Sequence, residues 1–168
     1  MYEPKPLSTE AIPAALAMAE RYRLLNEGEM AESICEDILS AEPANQRALV
    51  TMLLAVTDQF RDHGISGNVS RALSLVPRLD SEYERRYYEG IVYERRARAH
   101  LAQSGPGGGF LAYDWLKAAL RVFELAVAQR PAGNDDAVLR FNACARTLMR
   151  HPELEGRESQ REAVIESE

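Results

Sequence analysis

The stretch IPAALAMAERYRLLNEGEMAESICEDILSAEPAN, residues 12–45, holds two apolar stripes at helical spacing, split by a break and closed by a proline. Ile12, Ala15, Leu16, Ala19, Tyr22 and Leu25 recur three or four residues apart, the period of one face of a helix. Pro13 fits a helix start, because first-turn amides have no intrahelical acceptor to lose. Asn26-Glu27-Gly28 interrupts the pattern. Met30, Ala31, Ile34, Cys35, Ile38 and Leu39 then form a second one-sided stripe. It ends before Pro43, since the residue ahead of a proline avoids the helical region. The stretch reads as a helical hairpin.

The rest of the chain extends the pattern. A third helix is expected over about 44–61, with Leu49, Met52, Leu53, Val56 and Phe60 inward. His63-Gly64-Ile65-Ser66-Gly67-Asn68 reads as a turn. A short fourth helix carries Val69, Ala72, Leu73 and Val76 and closes near Pro77. A fifth runs over about 81–103, followed by the breaker Ser104-Gly105-Pro106-Gly107-Gly108-Gly109. A sixth covers about 110–129 and a seventh about 135–150. The expectation is an all-α domain over residues 9–150, with a disordered lead-in at 1–8 and an acidic flexible tail at 151–168.

Composition agrees with that class. Of the 168 residues, 46% are apolar and 27% charged, which is the range of a globular domain. Ala, Leu, Glu and Arg dominate, and these lose little side-chain freedom in a helix. The net charge is -6, and residues 151–168 supply -4 of it through six Glu against Arg157 and Arg161. An acidic chain is poorly suited to non-specific nucleic-acid binding, where positive charge supplies most of the affinity. Arg85-Arg86-Tyr87-Tyr88 and Tyr93–Arg98 mix cations with aromatics, but Glu82/Arg86, Arg85/Glu89 and Glu94/Arg98 stand four apart and read as ion pairs on a solvated face. No apolar run reaches the ~20 residues that span a bilayer. Cys35 and Cys144 belong to no metal-ligand spacing and read as buried thiols, so neither a disulfide framework nor a metal is expected. The start of the chain has no signal-peptide pattern, and a cytoplasmic location is expected.

Pro43 and Pro77 stand 34 residues apart, each closing the second helix of a pair. Ala19 and Tyr22 open one unit, with Ala31 and Cys35 in its second helix. A second unit keeps Val69, Ala72 and Pro77, but Leu53, Val56 and Ile65 depart from the pattern. A third keeps Gly90 and Tyr93, then Ala119, Phe123, Ala126 and Pro131. Pro131 follows Pro77 by 54 residues, so this unit carries twenty extra. In period and in its small and aromatic places the chain resembles the tetratricopeptide-repeat family. The family's Trp place is empty, with Ala15, Leu49 and Arg86 standing there. The resemblance implies a superhelix of helical hairpins, closed by a capping seventh helix whose Arg140, Arg146 and Arg150 lie off its apolar stripe.

The resemblance also implies a concave apolar groove, lined by the first helix of each unit, that binds a peptide or helix of a partner protein. By register that groove falls on Leu16, Ala17 and Glu20, on Val50, Thr51 and Leu54, and on Tyr87, Tyr88 and Ile91, with Val138, Leu139 and Asn142 from the seventh helix. A large exposed apolar patch marks an interaction site. The alternatives are that the stripe is simply core, that the chain's own C-terminal tail covers it, or that a homodimer or larger homo-oligomer buries it as part of a structural assembly. The family's carboxylate clamp is absent, since Leu16, Glu20, Thr51, Glu84 and Tyr88 occupy its places. No enzyme and no cofactor are expected. His63, His100 and His151 are scattered, no nucleophile elbow is present, and the carboxylates read as lying on polar faces.

Overall fold

Asn26 adopts a left-handed φ of 61°, and around it the chain makes the paired bonds that end a helix. Glu27 N–H donates to Tyr22 C=O at 2.9 Å and Asn26 N–H to Arg23 C=O at 3.0 Å. This satisfies carbonyls the helix would otherwise leave open and turns the chain back. The computed structural model describes residues 2–61, 65–102 and 108–155. Among the described residues the order is α1 (Ile12–Leu24), α2 (Gly28–Ala41), α3 (Gln46–Asp58), α4 (Ile65–Leu75), α5 (Glu82–Ala102), α6 (Gly108–Ala128) and α7 (Asp136–Arg150). Short 3-10 turns cover Thr9–Ala11, Gln59–Arg61 and Val76–Arg78. No strand occurs among these residues, and no helix among them is long and apolar enough to cross a membrane.

The contacts divide the chain into two compact units, Met1–Asp80 and Ser81–Glu168. In the first unit α1 packs on α2, α2 on α3 and α3 on α4, and α1 also reaches α3. Asn45 caps α3 by accepting the Ala48 N–H at 3.0 Å. α3 is the spine of this unit: Ala48, Leu49, Thr51, Met52, Leu53, Ala55, Val56 and Thr57 are all buried. Ile12, Leu16, Ile38 and Ala48 form one cluster, and Leu7 of the lead-in packs against it. Arg71 of α4 sets its Nη1 2.6 and 2.7 Å from the two Glu32 carboxylate oxygens and its Nη2 2.7 Å from Glu36, tying α4 to α2. The two proline turns are stitched together as well. Arg78 Nη2 donates to Pro43 C=O at 2.8 Å, and Asp80 N–H donates to Gln46 Oε1 at 3.0 Å.

In the second unit α5 and α6 pair along their length, 21 residues each. They are tightly packed at Gly90, where an added Cβ would stand 2.5–2.9 Å from the fully buried Phe123 ring. α7 packs on α6 and touches α5, with Ala137 joining Tyr83 and Ala126 in one cluster. The turn into α7 is held by Asn134, whose Oδ1 accepts both the Tyr83 hydroxyl and the Asp136 N–H at 3.0 Å.

Three local expectations change. Ile65-Ser66-Gly67-Asn68 are the first turn of α4, not a turn. Gly108 and Gly109 open α6, so helix formation overrides their low intrinsic propensity. Residues 153–155 form a helical turn with Leu154 buried, so the chain stays packed past Pro152. The remainder of those stretches (62–64 and 103–107) and the acidic tail from 156 lie outside the described residues.

Gly90→Ala tests the tight crossing. Alanine raises helix propensity by about 1 kcal/mol, while overpacking a dense core costs about 1–3 kcal/mol. A Phe123 ring buried on every side cannot swing away, so a net loss of stability is expected in thermal unfolding. In a Phe123→Leu background, where room exists, the same change should be neutral or stabilising.

Candidate functional site

α3 is buried nearly all round, and beyond its first residue, Gln46, the residues it leaves partly open form one strip: Arg47 exposed, then Val50, Leu54 and Asp58 half-buried. They stand three or four residues apart, hence on one face. α1 frames that strip with two ion pairs. Glu20 meets Arg47 at 2.8 Å and Arg23 meets Asp58 at 2.8 Å. The Arg23–Asp58 pair is the more sheltered, its side chains 20% and 22% exposed. Val50 and Leu54 thus form a short apolar step between two charged posts. Leu16 is only 4% exposed and lies in the core cluster with Ile38 and Ala48, and Thr51 is buried. Leu16 and Thr51 therefore support the strip from beneath and offer a partner little surface. Ala17 is exposed on α1.

In the second unit the structure gathers tyrosines. Tyr83 and Tyr87 stack at 5.9 Å, Tyr87 meets Tyr88 edge-on at 5.1 Å, and Tyr87 leans on Phe123 at 6.1 Å. Tyr87 and Tyr88 stay half-exposed, whereas Ile91 is 1% exposed and is core. Burial pushes the Tyr88 phenol up to about 12, reinforced by Tyr87 and Glu84, so it is a neutral hydroxyl at any physiological pH. On α7, Val138 and Asn142 are half-buried and Leu139 is exposed. The arrangement offers aromatic faces with hydroxyl edges, a surface suited to contact rather than to proton transfer.

The α5 segment read from sequence as a solvated charged face is not one. Glu94 is 1% exposed. Arg98 stands 2.6 Å from its Oε1, close but off the hydrogen-bonding direction, and Arg140 of α7 lies 3.5 Å from its Oε2. A buried carboxylate stripped of its partners costs roughly 3–5 kcal/mol, less whatever water gives the half-exposed guanidiniums. Arg140 therefore pins α7 rather than merely coating it. The i,i+4 spacing identified Glu94–Arg98, but it says nothing of depth. The available sign was the register Gly90, Glu94, Ala97, which puts Glu94 on the close-packed stripe. Arg86 pairs with Glu89 at 3.7 Å, not with Glu82, which accepts the Gln129 amide at 3.0 Å. One turn beyond, Arg96 and His100 have buried nitrogens without hydrogen-bond partners: Nε and Nη1 of Arg96, and Nε2 of His100. Burial pushes the His100 imidazole below its ordinary value, and the Arg96 charge pushes the same way.

Among the described residues no three His, Cys, Asp or Glu converge as a metal site. Cys35 and Cys144 are both buried, and burial pushes each thiol up to about 12. Both should resist a thiol-directed reagent in the native chain and react fully once it is unfolded; rapid native labelling would contradict their packing. For His100, a base with a lowered folded pKa stabilises the fold in its neutral form. That contribution is present above pH 6.5 and lost as pH falls below it. Wild type should accordingly lose more unfolding free energy than His100→Leu between pH 7.5 and pH 5, measured by denaturant titration. No family model, no curated protein and no solved structure matches this chain.

Proposed function

We propose that this chain is a protein-binding module of the tetratricopeptide-repeat kind, taking a peptide segment or helix of a partner protein on the first helices of its hairpins. The observation that carries the reading is the character of the open strips. Val50 and Leu54 on α3, and Tyr87 and Tyr88 on α5, keep part of their surface where a solvated helix is polar. Tyrosine supplies contact area at little entropic cost and is a common anchor of interfaces. The paired charges Glu20–Arg47 and Arg23–Asp58 flank the apolar step on α3, a polar rim of the kind that surrounds an interface core.

The repeat reading has its own support. Helices pack on their sequence neighbours within each unit, as stacked hairpins do. Ala31, Ala72 and Ala119, at the small places of the pattern, are fully buried, and so are Cys35 and Phe123 at its aromatic place. Gln46 and Asp80, joined by a hydrogen bond, are themselves 34 residues apart. Two buried free thiols suit a reducing compartment such as the cytoplasm.

The test is site-specific photo-crosslinking in cells, with the reactive group at position 54 or 88 and, as control, at the exposed Ser33. Adducts to a different polypeptide at 54 and 88, absent at 33, are expected. Leu54→Asp and Tyr88→Asp should each weaken capture of that polypeptide about tenfold or more, with helical content unchanged. Adducts to the chain itself would replace this reading with a homo-oligomeric assembly, and no adduct at either site would end it.

A further inference from the structure

α1 has two apolar faces, and only one is covered. Ile12, Leu16 and Ala19 are buried against the unit. Opposite them Pro13, Ala14, Ala17, Met18, Leu24 and Leu25 are exposed, with Met18 at 51%, Leu25 at 60% and Leu24 at 88%. Their spacing places them on one continuous stripe. The lead-in does not shield it, since Pro4–Leu7 lies along Asp37, Ser40 and Ala41 of α2. A helix that shows apolar surface on its solvent side is unusual for a lone surface helix.

Two charges that bracket Pro13–Met18 say what covers that part of the stripe. Glu10 stands in the 3-10 turn that leads into α1, and Arg21 lies eleven residues on, beyond Met18. Both are exposed. Neither takes part in an ion pair among the described residues. The Pro13–Met18 part of the stripe, with an acid before it and a base after it, is complementary to itself run backwards. Laying a second α1 antiparallel, with Ala14 over Ala17, brings Glu10 onto Arg21 at both ends. The two alanines at the centre let the backbones approach closely.

We propose that the chain forms a two-fold homodimer through α1, with Ala14 and Ala17 at the crossing, Pro13 of each copy packed on Met18 of the other, and two reciprocal Glu10–Arg21 pairs. Such an interface is isologous, the same patch on both copies. One helix face is smaller than the ~800 Å² per partner of a standard stable interface, so the dimer is weak and reversible. It shares only Ala17 with the partner surface proposed above, and the two readings stand or fall separately.

Sedimentation equilibrium of the full chain over a roughly hundredfold concentration range should give a reversible monomer–dimer equilibrium. Glu10→Arg and Arg21→Glu each turn both pairs into like-charge contacts and should weaken association about tenfold or more. An equimolar mixture of the two variants restores opposite charges at both ends and should recover dimers as mixed pairs. Simple stickiness of an apolar face does not produce that recovery. Circular dichroism should be unchanged throughout, since both positions are exposed. Monomer at every concentration, single variants that associate like wild type, or a mixture that stays monomeric would overturn the proposal.

Discussion

The helices of this chain come close to one another over alanine and glycine, and that closeness governs the rest. Gly90 leaves only the space that the Phe123 ring fills, and Gly28 stands against the backbone of α3, where an added Cβ would lie 3.1 Å from the Ala55 carbonyl. Ala19, Ala31, Ala48, Ala72, Ala97, Ala119, Ala126 and Ala137 are fully buried. Small residues in these places trade side-chain area for dense contact between neighbouring helices. The larger apolar side chains then fill what remains: Leu49, Leu53 and Phe60 in the first unit, Leu116 and Phe123 in the second.

Dense backbones leave few places for charge, so buried ions are where the architecture is most exacting. Arg71 holds two carboxylates of α2 at once, and Glu32, one of them, is 8% exposed. Glu94 takes guanidinium groups from two helices. These contacts add little net stability over an apolar filling. They fix which helix meets which, and at what height along its length.

The punctuation of the fold was legible in the chain: Pro13, Asn26, Pro43, Pro77 and Pro131 lie at or beside helix ends, where their backbone chemistry puts them. Depth was less legible. Ile65-Ser66-Gly67-Asn68 has the composition of a turn, yet its helix is completed by Val69, Ala72 and Leu75, each of them buried. Leu16 and Ile91 read as lining a surface because the register of the resemblance placed them there. A pattern spread round a helix does not state which side faces in, and rotation by one residue's angle separates core from contact. Val50, Leu54, Tyr87 and Tyr88 kept their partial exposure because they lie just off the buried arc.

The trio of Glu94, Arg98 and Arg140 has a consequence for how the chain can drift. Loss of Arg140 alone strands an acid in the interior, and loss of Glu94 alone leaves two cations facing the gap it vacated. Neither step is easily tolerated, whereas exchanging acid and bases together for apolar side chains is. Across descendants, these positions should mutate as a block or stay as they are.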